Sequence, residues 1–304
     1  MKSFDDILSK LGQCGSKRVA VAAAQDQWVL EAIKDAKAQG LADAILVGDA
    51  RKIAAISEKI GLDLADYEVV DEPVERQAAL KAVELVSNGS ADMVMKGLVD
   101  TASFLKAVLD KETGLRRGTL MSHVAVFEIP GFNRLLFLTD AAFNMYPDLK
   151  AKIDILNNAV RVAQAVGVEE PRVAPVCAVE VVNPDMPATI DASILSKMND
   201  RGQIKGCIVD GPLALDNAIS EEAAQHKQVT GPVAGKADIV LVPNFEVGNV
   251  MYKTLTYTAK AKNGGILAGA AAPVILTSRA DTHKAKLNSI ALAALVANRL
   301  ECTR

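Results

Sequence analysis

The sequence has 304 residues, more than one domain usually contains, and therefore predicts two domains. Half of the residues are hydrophobic but only 4% are aromatic, a composition that suits helices layered on a parallel sheet. The net charge of -3 gives no basic excess, which argues against nucleic acid as the main partner. Because no apolar run approaches the roughly 20 residues of a membrane span, we expect a cytoplasmic protein without membrane segments.

Strand-like and helix-like segments alternate in the first part of the chain. Short β-branched runs are followed by amphipathic stretches, and Gly40 and Gly61 stand where two of the helices should end. The predicted elements are strand 18–24, helix 27–39, strand 44–47, helix 51–60, strand 67–70, helix 73–86, strand 93–95 and helix 101–110. This alternation predicts a doubly wound α/β half.

Two strand-like runs then follow one another without a helix between them. They span 122–129 and 134–139, and only residues 130–133 connect them. A connection this short requires an antiparallel pair, so we expect a mixed sheet. The apolar segment 135–138 has two possible locations, the core of its domain or the contact with a second subunit.

The alternation resumes after Asp148. The predicted elements are helix 151–166, strand 172–179, helix 188–198, strand 206–209, strand 238–243, one or two strands within 266–275 and a last helix at 284–300. We expect the last helix to return to the first half of the chain. This predicts a first α/β domain of residues 1–146 plus 286–304 and a second of residues 147–285.

The segment 231–281 carries the clearest candidate site. After strand 238–243, Gly248 and Asn249 stand where a helix would begin, and Gly264 and Gly265 stand where it would end. Ligands of open α/β sheets bind outside the carboxyl ends of the strands, where helix N-termini favour anions. Polar residues follow two such strand ends and predict one anion-binding site: Asn249, Lys253, Thr277, Ser278, Arg279 and Asp281.

Standard catalytic signatures are missing from the sequence. The run 231–237, GPVAGKA, has one residue too few for a phosphate loop and ends in Ala where magnesium binding needs Ser or Thr. No G-x-G-x-x-G follows the first strand, and His123, His226 and His283 show no metal-ligand spacing. The remaining hydroxyls, cations and carboxylates suit a site that orients two substrates and stabilises a transferring group.

Several ordered motifs resemble one known family. They are DMVMKG at 92–97, MSHVAVF at 121–127, DRGQIKG at 200–206, PVAGKAD at 232–238, VGNVMYK at 247–253 and the pair Ser278-Arg279. These runs resemble the phosphate acetyltransferase and phosphate butyryltransferase family, and they are closer to its butyryltransferase branch. The resemblance implies an enzyme that transfers an acyl group reversibly between coenzyme A and inorganic phosphate: butanoyl-CoA and phosphate give butanoyl phosphate and CoA.

The resemblance also implies a fold and an assembly. The fold would be that of isocitrate and isopropylmalate dehydrogenases, two α/β domains with the active site in the interdomain cleft. Coenzyme A would be a substrate, with no permanently bound cofactor and no metal. We expect small-molecule substrates and a homo-oligomer, at least a dimer.

Residue roles follow from the same resemblance. Ser278 and Arg279 match the pair that polarises the acyl carbonyl and holds phosphate. The aspartate that serves the acetyl branch as base falls at Ala285, which leaves Asp281 and His283 as candidate bases. The candidate contacts of CoA or phosphate are Trp28, Lys96, Gly248, Asn249 and Lys253.

Alternative roles remain for these residues and for the whole chain. Lys96 and Lys253 equally fit surface lysines, and Trp28 either stacks on adenine or belongs to the core. Acetyl or branched-chain acyl groups are alternative substrates. A regulatory protein that binds CoA or acyl phosphate without turnover, and a metal-dependent decarboxylating dehydrogenase, are the rivals from other classes.

Overall fold

The chain folds into two compact units in the structure, a computed structural model that describes residues 1–12, 15–277 and 281–302. The first unit comprises Phe4–Thr119 with Gly264–Arg304, and the second comprises Met1–Ser3 with Leu120–Asn263. These divisions differ from the expected domain limits at 146/147 and 285/286. The first limit differs because the hairpin strands within 122–139 belong to the sheet of the second unit, and the second because strand 274–275 pairs with strand 93–96 in the first unit.

Helices and strands follow each other in chain order. Up to Thr119 the elements are α1 (Phe4–Leu11), β1 (Lys17–Ala22), α2 (Gln27–Ala38), β2 (Ala42–Gly48), α3 (Ala50–Ile60), β3 (Glu68–Asp71), α4 (Glu75–Ser87), β4 (Met93–Lys96) and α5 (Thr101–Val108). The next are β5 (Ser122–Glu128), β6 (Leu136–Thr139), α6 (Leu149–Val166), β7 (Arg172–Cys177), α7 (Pro187–Asp200), β8 (Ile208–Val209), β9 (Leu213–Ala214), α8 (Leu215–Ile219), α9 (Glu221–His226), β10 (Ile239–Leu241) and α10 (Phe245–Lys253), followed by a π-helix (Thr254–Thr258). The last are β11 (Lys262–Ala268), β12 (Val274–Ile275) and α11 (His283–Cys302).

The sheet of the first unit has the strand order β3-β2-β1-β4-β12-β11. All neighbours are parallel except β11, which pairs antiparallel with β12. The inner strands β1 and β4 are almost entirely buried, as expected for parallel strands covered on both faces. The last helix, α11, packs against α2 and β1, so it returns to the first half of the chain as predicted. No helix within the described residues is long and apolar enough to cross a bilayer.

The sheet of the second unit has the order β5-β6-β10-β7-β8, with β9 beside β7. The antiparallel pairing of β5 with β6 confirms the predicted hairpin and the mixed character of the fold. Leu136 and Leu138 are fully buried in a core that also includes Phe127 and Val240. The segment 135–138 therefore lies in the core of its own unit, and its alternative location in a subunit contact is wrong.

Three predicted details differ from the structure. Strand β1 ends at Ala22 because Ala23 takes a positive φ of 54°. Gly264 and Gly265 lie inside β11 and end no helix; a Cβ at Gly264 would come within 2.9 Å of the Asn288 backbone, so glycine allows close contact with α11. Helix α10 begins earlier than predicted, because the Asn244 side chain caps it by accepting from the Val247 N–H at 3.0 Å.

Candidate functional site

The carboxyl ends of β4 and β12 form one edge of the first unit. These strands are parallel neighbours, with Ile275 beside Met95, so Lys96 and Thr277 leave the sheet on the same side. Lys96 is only 5% exposed, and its ammonium donates to the Gly97 carbonyl at 3.1 Å. The interpretation of Lys96 as a surface lysine is therefore wrong. Ser278 and Arg279 lie outside the described residues.

The N-terminal ends of α2 and α11 meet in the first unit through two aromatic rings. Trp28 and His283 stack with their ring centroids 6.3 Å apart and their planes at 8°. The His283 Nε2 lies 3.9 Å from the Asp35 carboxylate on α2. Trp28 is 48% exposed, so its interpretation as a core residue is wrong.

The first turn of α11 contains a buried lysine, Lys286. The Thr282 hydroxyl caps this helix by accepting from the Ala285 N–H at 3.2 Å. Lys286 is 2% exposed, and its ammonium donates to the Asp281 carbonyl at 3.2 Å. Burial lowers the pKa of Lys286, and the nearby carboxylates of Asp281 and Asp26 oppose that shift.

Sequence reasoning missed Lys286. Lysines in the first turns of a helix are usually solvated, and the sequence reads Lys284-Ala285-Lys286 without an obvious distinction between the two lysines. The signal available in the sequence is that Lys286 directly precedes the largely apolar run 287–297, LNSIALAALVA. In the structure this whole run is buried, whereas Lys284 is exposed.

Helix α10 places the candidate residues of the second unit. Gly248 is buried, and a Cβ there would lie 2.5 Å from the Asp140 carbonyl oxygen. The Asn249 amide donates to the Ala141 carbonyl at 3.4 Å, and Lys253 is exposed. Packing against residues 140–141 is thus enough to explain why glycine stands at 248 and asparagine at 249, without a bound ligand. The role of Gly248 and Asn249 as ligand contacts stays a prediction.

The other histidines occupy separate structural positions. His123 is buried on β5 with its ring edge towards Tyr252 at 6.1 Å, whereas His226 ends the short helix α9. In the described ranges 1–12, 15–277 and 281–302, no group of three His, Cys, Asp or Glu side chains is arranged to hold a metal ion.

The second unit also carries an apolar groove beside α10. Its volume is about 880 Å³. Val250 on its rim is 66% exposed, and Val247 one turn earlier is 43% exposed. Apolar side chains of α8, of α10 and of the residue before α7 line it: Met186, Leu215, Ile219, Val247, Val250 and Met251.

Comparisons with known proteins agree on one family. The family model described as phosphate acetyl/butaryl transferase matches residues 3–79 and 65–294. A phosphate butyryltransferase of Clostridium acetobutylicum is 69% identical over 297 residues, which are 98% of this chain and 99% of that protein. A phosphate acetyltransferase of Thermotoga maritima is 46% identical, over 97% of this chain and 100% of its own length.

A solved structure agrees with the sequence comparisons. The crystal structure of a branched-chain phosphotransacylase from Enterococcus faecalis V583 has a TM-score of 0.83 and 34% sequence identity, covering 92% of this chain and 99% of that one. Both the mixed α/β architecture and the sequence therefore match the same group of proteins. The chain belongs to the phosphate acetyl/butaryl transferase family.

Proposed function

We propose that this chain catalyses reversible acyl transfer between coenzyme A and inorganic phosphate, with butanoyl-CoA and phosphate giving butanoyl phosphate and CoA. Identity of 69% to a phosphate butyryltransferase, over nearly the full length of both chains, is the observation that carries this proposal. The edge of the first unit adds support. Ser278 and Arg279 follow Thr277 directly in sequence, and Thr277 leaves the sheet on the same side as the buried Lys96.

The proposed reaction is a direct transfer in a ternary complex. In the direction of CoA acylation, a base takes the thiol proton and the CoA sulfur attacks the acyl phosphate carbonyl. The new carbon–sulfur bond forms while the carbon–oxygen bond to phosphate breaks, and phosphate leaves. Arg279 stabilises the phosphate or the developing oxyanion, and Ser278 donates a hydrogen bond to the carbonyl oxygen. Asp281 or His283 serves as the base.

The finer expectations about fold and location belong to the same proposal. They are an isocitrate dehydrogenase-like arrangement of two domains, with the active site in the interdomain cleft. Lys96, Gly248, Asn249 and Lys253 are proposed contacts of phosphate or CoA. The protein is proposed to act in the cytoplasm on small-molecule substrates, with CoA as a substrate and without a permanently bound cofactor.

Phosphate-dependent release of free thiol tests the proposal. Purified protein is supplied with acetyl-CoA, butanoyl-CoA and 3-methylbutanoyl-CoA in parallel, with and without phosphate and without added metal. Release that requires phosphate supports the transferase, and the fastest substrate identifies the acyl preference. The absence of release from all three, by protein with a cooperative thermal unfolding transition, would favour a CoA-binding protein without turnover.

Trp28 is proposed to stack on the adenine of CoA. Its ring is half-exposed, and His283 already supports it by stacking. Trp28→Ala should raise the KM for CoA roughly two- to tenfold, the range expected from loss of one aromatic stacking contact. Trp28→Phe, which keeps a ring, is the control and should retain most of the affinity. An unchanged KM for CoA in Trp28→Ala contradicts this role.

The protein is further proposed to form a homo-oligomer, at least a dimer, through the apolar groove of the second unit. Val247 and Val250 line the groove and remain 43% and 66% exposed, so its apolar wall is open to solvent. Two copies related by a two-fold axis can bury these grooves against each other. Apolar surface of this kind is also uncommon on monomeric proteins.

Val250→Asp should shift the protein towards the monomer in sedimentation velocity, because a carboxylate would be buried in the apolar contact. Val74→Asp is the control, since Val74 is 58% exposed on the first unit and does not line the groove. A wild-type monomer, or an unchanged assembly in Val250→Asp, would exclude this surface as the subunit contact.

A further inference from the structure

Lys286 is the most deeply buried ammonium beside the candidate site in the first unit. It projects from the beginning of α11 and is 2% exposed. Its ammonium donates one hydrogen bond to the Asp281 carbonyl, and the carboxylates of Asp281 and Asp26 act on its charge. Lys286 thus contacts Asp281, which lies just before α11, and carries its charge near the carboxylate of Asp26, which caps α2.

Stability alone does not explain a lysine at this position. Removal of an ammonium from water is unfavourable, and burial accordingly lowers the pKa of Lys286. An apolar side chain of similar length would fill the same volume without that penalty, as the buried residues that follow in α11 do. A charge retained under these conditions suggests a second role, and one candidate site residue that the Lys286 ammonium contacts is Asp281.

The geometry also separates the two candidate bases. The His283 ring stacks on Trp28, and its Nε2 faces Asp35 at 3.9 Å, so this side chain joins α11 to α2. Asp281 precedes the helix, and the Lys286 ammonium fixes its backbone by a 3.2 Å hydrogen bond. Lys286 therefore holds Asp281 in place, whereas the His283 imidazole packs between α11 and α2.

We propose that Lys286 is a positioning residue that holds Asp281, and that Asp281 is the base for the CoA thiol. Asp281 would take the role of the acetyl branch's aspartate, whose position is occupied here by Ala285. This inference rests on the proposed acyl transfer. Lys286 itself touches no reacting atom. It acts through Asp281, which takes the thiol proton while the CoA sulfur attacks the acyl phosphate.

The test is a double-mutant cycle on kcat with butanoyl phosphate and CoA. Lys286→Met removes the charge and keeps an unbranched apolar side chain. We expect its kcat to fall roughly 10- to 100-fold, since small displacements of a catalytic group have effects of this size. The KM for phosphate in the reverse direction should change little, and the melting temperature should stay the same or rise. Lys286→Arg, which keeps the charge, should recover part of the activity.

Asp281→Asn should lower kcat at least as much as Lys286→Met does. Because Lys286 acts through Asp281, the double variant should be no slower than Asp281→Asn alone. Lys284→Met is the matched control, since Lys284 is exposed on the same turn of α11. If Lys286→Met does not fold, Lys286→Leu replaces it in the cycle, because leucine also removes both the charge and the donor to the Asp281 carbonyl.

Three outcomes overturn the inference. The first is a Lys286→Met protein as active as Lys284→Met, and the second is losses that multiply in the double variant. The third is loss of activity that merely follows a lower melting temperature and is not recovered by Lys286→Arg. In each of these three cases the wild type still catalyses acyl transfer, so the proposed function stands and only the role of Lys286 is rejected. A wild type without phosphate-dependent thiol release would overturn the proposed function and this inference together.

Discussion

Replacement of Arg279 by alanine should lower kcat for acyl transfer roughly 100- to 1,000-fold, the effect expected when a preorganised donor to a developing anion is removed. A guanidinium offers two parallel donors to phosphate oxygens or to an oxyanion, and alanine offers none. The measurement is the rate of thiol release from butanoyl-CoA at saturating phosphate. The melting temperature should match that of the wild type, because the effect concerns the transition state and not the fold.

Two further variants sharpen the test of Arg279. Arg279→Lys should remain well below wild type, since an ammonium does not reproduce the planar two-pronged donor. Arg51→Ala, at an exposed position of α3, is the control for the loss of one positive charge and should keep wild-type activity. Near-normal turnover by Arg279→Ala would remove Arg279 from the mechanism.

Gly248→Ala should destabilise the protein by about 1–3 kcal/mol, the usual effect of forcing an extra carbon into a packed site. The new Cβ would lie 2.5 Å from the Asp140 carbonyl and 2.8 Å from the Ala141 Cα, both of which are backbone atoms. Helix α10 would have to move away from residues 140–141. The measurement is the midpoint of thermal or urea unfolding, compared with the wild type.

The same substitution at Gly15 is the control for Gly248→Ala. A Cβ at Gly15 meets no heavy atom within 4 Å, so Gly15→Ala should leave the unfolding midpoint unchanged. If Gly248 serves packing, substrate KM values at a temperature where the variant is folded should stay near those of the wild type. An unchanged midpoint with a large rise in the KM for CoA or phosphate would instead assign Gly248 to ligand binding.

The topology of the sheets was largely predictable because the signals are local and repeated. Short apolar runs separated by amphipathic stretches predict parallel strands with covering helices, and such strands form most of the first unit. The four-residue connection at 130–133 allowed only an antiparallel hairpin, which is what β5 and β6 form. Register within parallel strands then brings Lys96 and Thr277 to one edge.

Other features depend on contacts between distant residues and carry little local signal. Gly264 and Gly265 resembled a helix end, yet Gly264 lies in a strand and must be glycine because Asn288, far along the chain, approaches it closely. The burial of Lys286 and the exposure of Trp28 follow from how α2 and α11 pack together. The division into units likewise depends on which strands pair, and sequence patterns alone do not determine this.

The central claim is that the acyl group passes from CoA to phosphate, and product identification tests it most directly. Wild-type protein would be incubated with butanoyl-CoA and excess phosphate, and the products separated and weighed by mass spectrometry. Direct transfer predicts butanoyl phosphate and CoA in equal amounts at early times, with free butanoate appearing only later as the acyl phosphate hydrolyses. Butanoate and CoA in equal amounts from the start, with or without phosphate, would instead show thioester hydrolysis and contradict the proposed function.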